Sequence, residues 1–300
     1  MNASMFIALI TFSLMKTSAA YDNRDYINKM NQNSHNGVIF QENSFINHTA
    51  NEFDTYFKGL NYQNQGTNCV TFEIGPSDYT ALPERWDWRN RGAVTTVKNQ
   101  GKCGSCWSFS AAGALEGAWA ISTGQLYNFS EQQLMDCSRR YGNMACNGGL
   151  MDKAFEYAID VGMCKLEDVP YDAESEFCNQ SVKNCEKVAS FSQCFKIPAN
   201  NERLLREAVY RGPVAVSIEA DTKTFQFYKG GIIDSSNCGT ELDHGVLAVG
   251  YGEEDGKKYW IVKNSWGADW GENGYIRIGR SDSDDSEGVC GIAKDASFVI

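Results

Sequence analysis

Eleven cysteines constrain the fold of this chain more than any other feature of its sequence. They stand at positions 69, 103, 106, 137, 146, 164, 178, 185, 194, 238 and 290 of 300 residues. A cytosolic protein rarely carries so many thiols without clear zinc spacing, whereas an oxidising compartment turns them into disulfide bonds. The odd count leaves at least one thiol unpaired within the chain. The sequence therefore predicts a disulfide-bridged protein of the secretory pathway.

The first twenty residues support passage through that pathway. Met5 to Met15 is an apolar run of signal-peptide length, too short to span a bilayer comfortably, and Ala19-Ala20 supplies small residues for cleavage after Ala20. No Lys or Arg precedes the run, so a buried N-terminal helix is the alternative. Three N-x-[ST] sequons predict glycosylation at Asn47, Asn128 and Asn179.

Charge and composition limit the partners and divide the chain. The formal net charge of −11 argues against nucleic acid or an anionic membrane surface as the main partner, because both favour basic patches. Residues 21–81 are polar and Asn-rich, and a denser globular sequence begins at Leu82. We therefore expect a signal peptide over 1–20, an N-terminal segment over 21–81 and a globular domain over 82–300.

The globular part changes from helical to strand-like patterns along the chain. An apolar run predicts a buried helix over 106–122. A capping-box pattern at Ser130 opens a second helix from 130 onward. A third helix is predicted over 150–159, with Gly162 just past its end. A further helix is expected over 201–210. Runs rich in β-branched and aromatic residues predict strands over 214–218, 245–249, 258–263 and 275–278. This order favours an α+β fold with two subdomains and a cleft between them.

Histidine and cysteine placement indicates a reactive pair. Of three histidines, only His244 lies in the globular part, so it is the candidate general base. Cys106 lies where a Gly-rich loop meets the first predicted helix, and a helix N-terminus lowers a thiol pKa. Cys103 has no such position. A redox C-x-x-C motif is disfavoured because Trp107 follows the second Cys. A zinc site is disfavoured because the sequence has no second C-x-x-C to complete it.

Four strings in order carry a family resemblance over about 82–300. QGKCGSCWSFSAAGALEG, CNGGLMDKAF, LDHGVLAVGYG and YWIVKNSWGADWGENGYIRI resemble the papain family of cysteine proteases, most of all the cathepsin L type. The resemblance implies an α+β fold with a helical left subdomain, a β-barrel-like right subdomain and the active site between them. It also implies a cysteine endopeptidase that works through an acyl-enzyme, with no cofactor or metal.

The roles of five residues follow from the same resemblance. Cys106 would be the nucleophile, His244 its general base and Asn264 the group that orients the imidazole. Gln100 would complete the oxyanion hole with the backbone N–H of Cys106. Trp266 would shield the His–Asn contact from water. Together these positions form a complete set of nucleophile, base, orienting group and oxyanion donor.

The resemblance further implies a substrate pocket for the residue two positions before the cut, called P2. Its walls would be Leu150, Met151, Ser217, Leu242 and Gly245, with Asp295 at the floor. Apolar walls predict Leu or Phe at P2, and an acidic floor adds Arg. The alternative is that Asp295 is exposed near the C-terminus and paired with Lys294 or solvent.

Three disulfide bonds are implied by the same family: Cys103–Cys146, Cys137–Cys178 and Cys238–Cys290. Cys185 could replace Cys178 as the partner of Cys137. Cys69, Cys164, Cys185 and Cys194 are left without an assigned partner, since sequence alone cannot choose a connectivity.

The segment over 21–81 resembles a shortened cathepsin L-type propeptide, which implies an inactive precursor inhibited by its own segment. The resemblance implies protein and peptide substrates, cystatin-like inhibitors, a monomer, and a lysosomal, vacuolar or extracellular destination. Two alternatives remain. One is an aminopeptidase that keeps a propeptide fragment tethered through Cys69, and the other is an inactive binding homologue.

Overall fold

The computed structural model describes residues 3–33, 37–61, 66–75, 82–178 and 180–300. His35 and the sequon residue Asn179 lie outside these ranges. The helices are α1 Ala3–Asn33, α2 Ala50–Tyr56, α3 Cys106–Thr123, α4 Glu131–Cys137, α5 Met151–Val161, α6 Gln180–Asn184, α7 Glu202–Arg211 and α8 Lys223–Gln226. The strands are β1 Ile39–Phe40, β2 Val70–Thr71, β3 Trp86–Asp87, β4 Cys194–Ile197, β5 Val214–Ile218, β6 Tyr228–Gly230, β7 Ile232–Ile233, β8 His244–Glu254, β9 Lys257–Lys263, β10 Tyr275–Gly279 and β11 Ala296–Val299.

The first helix runs without a break across the expected signal-cleavage site. It spans Ala3–Asn33, and Ala20 near its middle is buried. None of the described helices is both long and apolar enough to cross a bilayer. Cleavage after Ala20 stays a prediction.

Helices α3, α4, α5 and α7 form where apolar periodicity and end signals predicted them. Ser130 caps α4 by accepting a hydrogen bond from Gln133 N at 2.9 Å, as expected for Ser at an N-cap. The reciprocal half of the predicted capping box does not form. The Gln133 amide instead donates to Gly162 O at 2.9 Å, because burial of that side chain leaves inner partners closer than its own N-cap. Gly162 ends α5, as predicted.

One large sheet carries the second half of the described chain. Its order is β2-β4-β11-β5-β8-β9-β10-β7, and β3 pairs with β8. The four predicted strands are confirmed as β5, β8, β9 and β10. Sequence reasoning missed β4 and β11, four residues each, which pair with each other across nearly 100 residues of chain. The predicted α+β class is confirmed.

Helix α3 joins the helical core to the sheet. Trp107 and Leu115 on α3 are fully buried in the helical core. A Cβ at Gly113 would lie 2.7 Å from Leu247 Cδ2 on β8, so the absent side chain lets helix and strand approach closely. This contact brings the first residue of α3 and the first residue of β8 to the same place.

The N-terminal segment packs onto the globular part through aromatic rings. Phe45 and Phe53 lie 5.4 Å and 5.2 Å from the Trp266 ring, and Phe57 lies 4.8 Å from Phe45. A complete capping box at Thr49 and Glu52 starts α2, which carries Phe53. The segment therefore shares a core with the globular domain.

Five disulfide bonds pair ten of the eleven cysteines, all of which lie in described residues. Cys103–Cys146, Cys137–Cys178 and Cys238–Cys290 are the pairs that the resemblance implied. Cys185 bonds to Cys164, so it does not replace Cys178. The remaining bridge joins Cys69 to Cys194. Cys106 is the free thiol.

Replacing Phe53 with Ala is expected to destabilise the N-terminal segment by about 3–5 kcal/mol, because a fully buried ring leaves a cavity. Hydrogen–deuterium exchange over residues 50–57 measures this loss of protection. The control is Tyr56→Ala on the same helix, where the ring is 41% exposed and a change within about 0.5 kcal/mol is expected. Equal protection in both variants would contradict the packing described above.

Candidate active site

Cys106 is positioned by a loop that is fixed on both sides. The disulfide Cys103–Cys146 and the hydrogen bond from Gly104 N to Cys146 O at 3.1 Å hold the loop before α3. Helix α3 then begins at Cys106, whose side chain is fully buried. Gly245 N donates to Cys106 Sγ at 3.3 Å, so the start of β8 touches the thiol directly.

His244 and Asn264 meet because β8 and β9 pair antiparallel. His244 opens β8, Asn264 follows the last residue of β9, and the His244 Nε2–H donates to Asn264 Oδ1 at 2.8 Å. Ser265 N also donates to that oxygen at 2.8 Å, which fixes the amide orientation. With Nε2 protonated, Nδ1 carries the lone pair. Nδ1 is buried and has no hydrogen-bond partner among the described residues, so it can accept a proton.

Trp266 covers the imidazole. Its ring lies 4.7 Å from the His244 ring at a 30° tilt, and its Nε1–H donates to Phe57 O at 2.9 Å. The indole therefore closes the His244 and Asn264 contact on one side and binds the N-terminal segment on the other.

Gln100 holds a backbone carbonyl of the N-terminal segment. Its Nε2 donates to Phe57 O at 3.3 Å and to Cys103 O at 2.9 Å. Ser265 Oγ donates to Gln100 Oε1 at 2.6 Å, which orients the amide. The donor expected in an oxyanion hole thus points at a peptide carbonyl in this structure.

Residues 57–61 of the N-terminal segment cross the site. Gly149 N donates to Gly59 O at 3.0 Å, Asn61 N donates to Gly149 O at 3.2 Å, and the pairing is parallel. Leu60 N donates to Asp243 O at 3.1 Å. A Cβ at Gly59 would lie 2.0 Å from Gly104 O, so glycine is required there. Sequence reasoning missed these five residues, and Lys58-Gly59-Leu60 carries no pattern that marks them.

Burial changes the electrostatics of the reactive pair. Desolvation raises the pKa of the Cys106 thiol to about 12 and lowers the pKa of His244 to about 4. The Lys58 ammonium, which is paired with Asp243 at 2.9 Å, lowers the His244 pKa further. The prediction of a lowered thiol pKa is therefore wrong for the covered site, because desolvation outweighs the helix N-terminus. Burial therefore favours the neutral form of both groups.

Asp295 is buried rather than exposed. Ser217 Oγ donates to Asp295 Oδ2 at 2.6 Å, and Lys196 Nζ is ion-paired with Asp295 and lies 3.5 Å from Asp152 Oδ2. The alternative pairing with Lys294 is wrong, since Lys294 is ion-paired with Glu287 at 3.1 Å instead.

Of the remaining predicted pocket residues, Ser217 contacts Asp295 directly, and the others make contacts of their own. Ser217 pairs with Gly245 across β5 and β8, and Met151 Sδ would lie 3.1 Å from a Cβ at Gly245. Leu242 contacts Gly291, and Leu150 caps α5 beside Gly149. Leu60 of the N-terminal segment packs against the same apolar cluster as Met151.

A buried charged network behind Asn264 was also missed. Lys98 bridges Glu116 at 2.8 Å and Glu131, and Lys263 Nζ donates to Thr95 Oγ1 at 3.0 Å. The two lysines and the two glutamates border a cavity of about 20 Å³ that Asn264 also lines. Burial lowers the pKa of Lys263, the residue before Asn264, to about 8. The members are scattered over 169 positions of sequence (95 to 263), so no local pattern reveals them.

Comparison with known proteins agrees with this geometry. Residues 82–300 match the papain family of cysteine proteases. The chain is 44% identical to cysteine endopeptidase RepA of Oryza sativa subsp. japonica, over 93% of this chain and 75% of that protein. It is 52% identical to the probable cysteine protease RD21B of Arabidopsis thaliana over 73% of this chain, and spans 47% of that protein's length. The solved recombinant stem bromelain precursor superimposes with a TM-score of 0.87 at 37% identity, over 96% of this chain and 92% of that chain.

The family match covers the whole globular part, and the precursor likeness extends into the N-terminal segment. At these identities and this structural agreement, the chain belongs to the papain family of cysteine proteases and is a cysteine endopeptidase.

Proposed function

We propose that Cys106 is the nucleophile of peptide hydrolysis, with His244 as base and acid, Asn264 as orienting group and Gln100 as oxyanion donor. The observation that carries the proposal is the Phe57 carbonyl, which accepts a hydrogen bond from Gln100 beside the buried thiol and imidazole. A peptide carbonyl thus already accepts a hydrogen bond from the side chain that we propose as an oxyanion donor.

The reaction uses each group in turn. His244 Nδ1 takes the Cys106 proton, and the thiolate sulfur bonds to the carbonyl carbon of the peptide. Gln100 Nε2–H and the Cys106 N–H stabilise the oxyanion. The imidazolium gives its proton to the leaving amine as the C–N bond breaks, which leaves a thioester. Water, deprotonated by His244, then attacks the thioester and releases the acid and the thiol.

We further propose that residues 57–61 keep the precursor inactive. They form hydrogen bonds with Gln100, Gly149 and the Asp243 carbonyl. In this proposal they also exclude water from the thiol and the imidazole, and that burial favours the neutral form of both groups. The thiolate is the reactive form of cysteine. In the covered site a substrate would not reach Cys106, and the protonated thiol would be a poor nucleophile. Removal of the segment restores solvent and reactivity. Other protein inhibitors of the cystatin type would compete for the uncovered site.

The P2 pocket is proposed to take Leu or Phe, and Arg as a second choice. Leu60 beside Gly149 supports an apolar occupant. The floor holds two carboxylates, Asp152 and Asp295, against one ammonium, Lys196, which leaves one negative charge uncompensated. A guanidinium at P2 would supply the missing cation.

The secretory pathway is the proposed route, with a lysosomal, vacuolar or extracellular destination. Five disulfide bonds among the described residues support an oxidising compartment. Asn47 and Asn128 are exposed, as glycosylation there would need.

Cys106→Ala in the segment-free enzyme is expected to reduce hydrolysis of an N-blocked peptide with Leu at P2 by more than about 1,000-fold, because no nucleophile remains. His244→Ala should reduce the same hydrolysis rate by a similar factor. Ser122→Ala, at the exposed end of α3, should keep full activity. Cleavage only of peptides with a free N-terminus would favour the aminopeptidase. No cleavage by folded, segment-free enzyme would favour the inactive homologue.

Alkylation of the intact precursor by iodoacetamide at pH 7 is expected to be at least about 100-fold slower than alkylation of the segment-free enzyme. Burial raises the pKa of the covered thiol to about 12, so the reactive thiolate is scarce at this pH. Mass spectrometry should find one label at most, since the other ten cysteines are bridged. Equal rates before and after segment removal would contradict the covering role of residues 57–61.

Asp295→Ala is expected to lower kcat/KM for an Arg-P2 substrate about tenfold relative to its Leu-P2 partner, equivalent to about 1.4 kcal/mol. Lys196→Met should raise the ratio of kcat/KM for the Arg-P2 substrate to that for the Leu-P2 substrate. Without the Lys196 ammonium, Asp152 and Asp295 would both be free to pair with the substrate guanidinium. Asp285→Ala, an exposed acid elsewhere, serves as the control. An unchanged ratio in both floor variants would remove Asp295 from the specificity pocket.

A further inference from the structure

The N-terminal segment is bound at two separate surfaces, and only one of them is the active site. Residues 57–61 lie across Cys106 and His244, whereas residues 66–75, named here the tether segment, lie along β4. Cys69 of the tether segment is bonded to Cys194, the first residue of β4. Among the described residues, this disulfide is the one covalent cross-link between the segment and the globular domain.

The tether segment extends the sheet. Its strand β2 pairs in parallel with β4, with Val70 opposite Phe195 and Thr71 opposite Lys196. Phe72 N continues the pairing by donating to Lys196 O at 2.8 Å. Without the tether segment, β4 would be an edge strand. Backbone N–H and C=O groups of β4 would then lack their hydrogen-bond partners.

Polar contacts fix the beginning of the tether segment on α5. Glu156 accepts hydrogen bonds from Asn68 N at 2.9 Å, Asn68 Nδ2 at 3.1 Å and Thr67 Oγ1 at 3.2 Å. Lys153 Nζ donates to Gly66 O at 2.6 Å and is ion-paired with Glu156 at 2.9 Å. A carboxylate that is mostly buried therefore takes three hydrogen bonds from this peptide beside its ion pair with Lys153.

An apolar contact fixes the other end. Phe72 is 6% exposed and packs edge-on against Phe298 at 5.1 Å and Phe195 at 6.3 Å, which are stacked on each other at 5.0 Å. The Arg211 guanidinium lies 5.5 Å from the centre of the Phe72 ring. Loss of the tether segment would expose the paired rings of the globular domain to water.

We propose that the tether segment stays on the peptidase domain after the precursor is cut, as a disulfide-linked strand that belongs to the active enzyme. The binding surface is formed by β4, Glu156, Phe298 and Cys194. It adjoins the proposed P2 floor, because the Lys196 side chain is paired with Asp295 while the Lys196 backbone pairs with the tether segment. Its occupant is this chain's own residues 66–75.

Release of the tether segment is then a reductive step. A low-molecular-weight thiol, as its thiolate, attacks one sulfur of the Cys69–Cys194 bond, forms a mixed disulfide and frees the other cysteine as a thiolate that takes a proton. A second thiol molecule attacks the mixed disulfide. The products are two protein thiols and one oxidised disulfide of the reductant.

The bond also decides which cut activates the enzyme, a consequence that rests on the proposed inhibition by residues 57–61. A cut between 61 and 66 frees the site and leaves the tether segment in place. A cut beyond 75 alone leaves residues 57–61 attached at an effective concentration on the order of millimolar, so inhibition persists until the bond is reduced.

The test uses the Cys106→Ala precursor, which cannot process itself and so separates this proposal from catalysis. The protein is cut with pepsin at acid pH, its free thiols are blocked with iodoacetamide, and its intact mass is measured after denaturing chromatography without reductant. The expected mass is the globular domain plus a peptide that contains Cys69. Dithiothreitol should then remove that peptide.

Cys69→Ser in the same background is the matched variant. Its cut product should lack the peptide before reduction and should carry one iodoacetamide label, at Cys194. Two labels on the unreduced Cys106→Ala precursor, at Cys69 and Cys194, would overturn the proposal, as would a cut product that lacks the peptide without reductant.

A second comparison measures the non-covalent part of the site. After mild reduction of the cut product, Phe72→Ala should release the peptide at least about tenfold faster than the parent, since its ring supplies the apolar contact. Val70→Ala on the same strand, with a side chain 45% exposed, is the control and should release it at the parent rate. Immediate release from every protein would show that the disulfide alone retains the peptide and would overturn the assignment of a binding surface.

Discussion

The contact between α3 and β8 is the constraint on which the rest of the structure depends. A glycine on α3 allows Leu247 of β8 to approach the helix axis, and the two elements begin at Cys106 and His244. The Gly245 N–H then reaches Cys106 Sγ, and the β8–β9 pairing carries Asn264 to the far side of the imidazole. The reactive groups come from both subdomains, so the packing of helix on sheet sets their geometry. A buried network of Lys98, Glu116 and Glu131 supports the same junction from behind.

Burial of Cys106 and His244 opposes the electrostatics that a helix N-terminus favours. A helix N-terminus and a neighbouring imidazole favour a thiolate in an open site. In this structure both side chains are fully buried, which raises the pKa of the thiol and lowers the pKa of the imidazole. The Lys58 ammonium lowers both pKa values. The inhibition proposed for residues 57–61 would therefore act on the protonation state of this pair as well as on access to it.

The N-terminal segment combines two kinds of attachment. Its first part binds through aromatic rings and backbone hydrogen bonds, with no covalent cross-link among the described residues. Its last part adds a strand to the sheet and is cross-linked at Cys69. The inhibition proposed for residues 57–61 requires that they leave the site, whereas a strand that completes a sheet must stay, and this chain places the two next to each other in sequence.

Local sequence determined much of the secondary structure and pointed to the residues that we propose as catalytic. Apolar periodicity defined α3, Ser130 and Gly162 marked helix ends, and β5 was bounded as predicted. The four family strings indicated Cys106, His244, Asn264 and Gln100. Each of these signals lies within a few residues of what it predicts. Only the tertiary structure decided the partner of Cys69, the pairing of Asp295 with Lys196 and the burial that raises the pKa of the thiol. Those outcomes depend on contacts between residues as many as 125 positions apart and on burial from solvent, which no local pattern encodes.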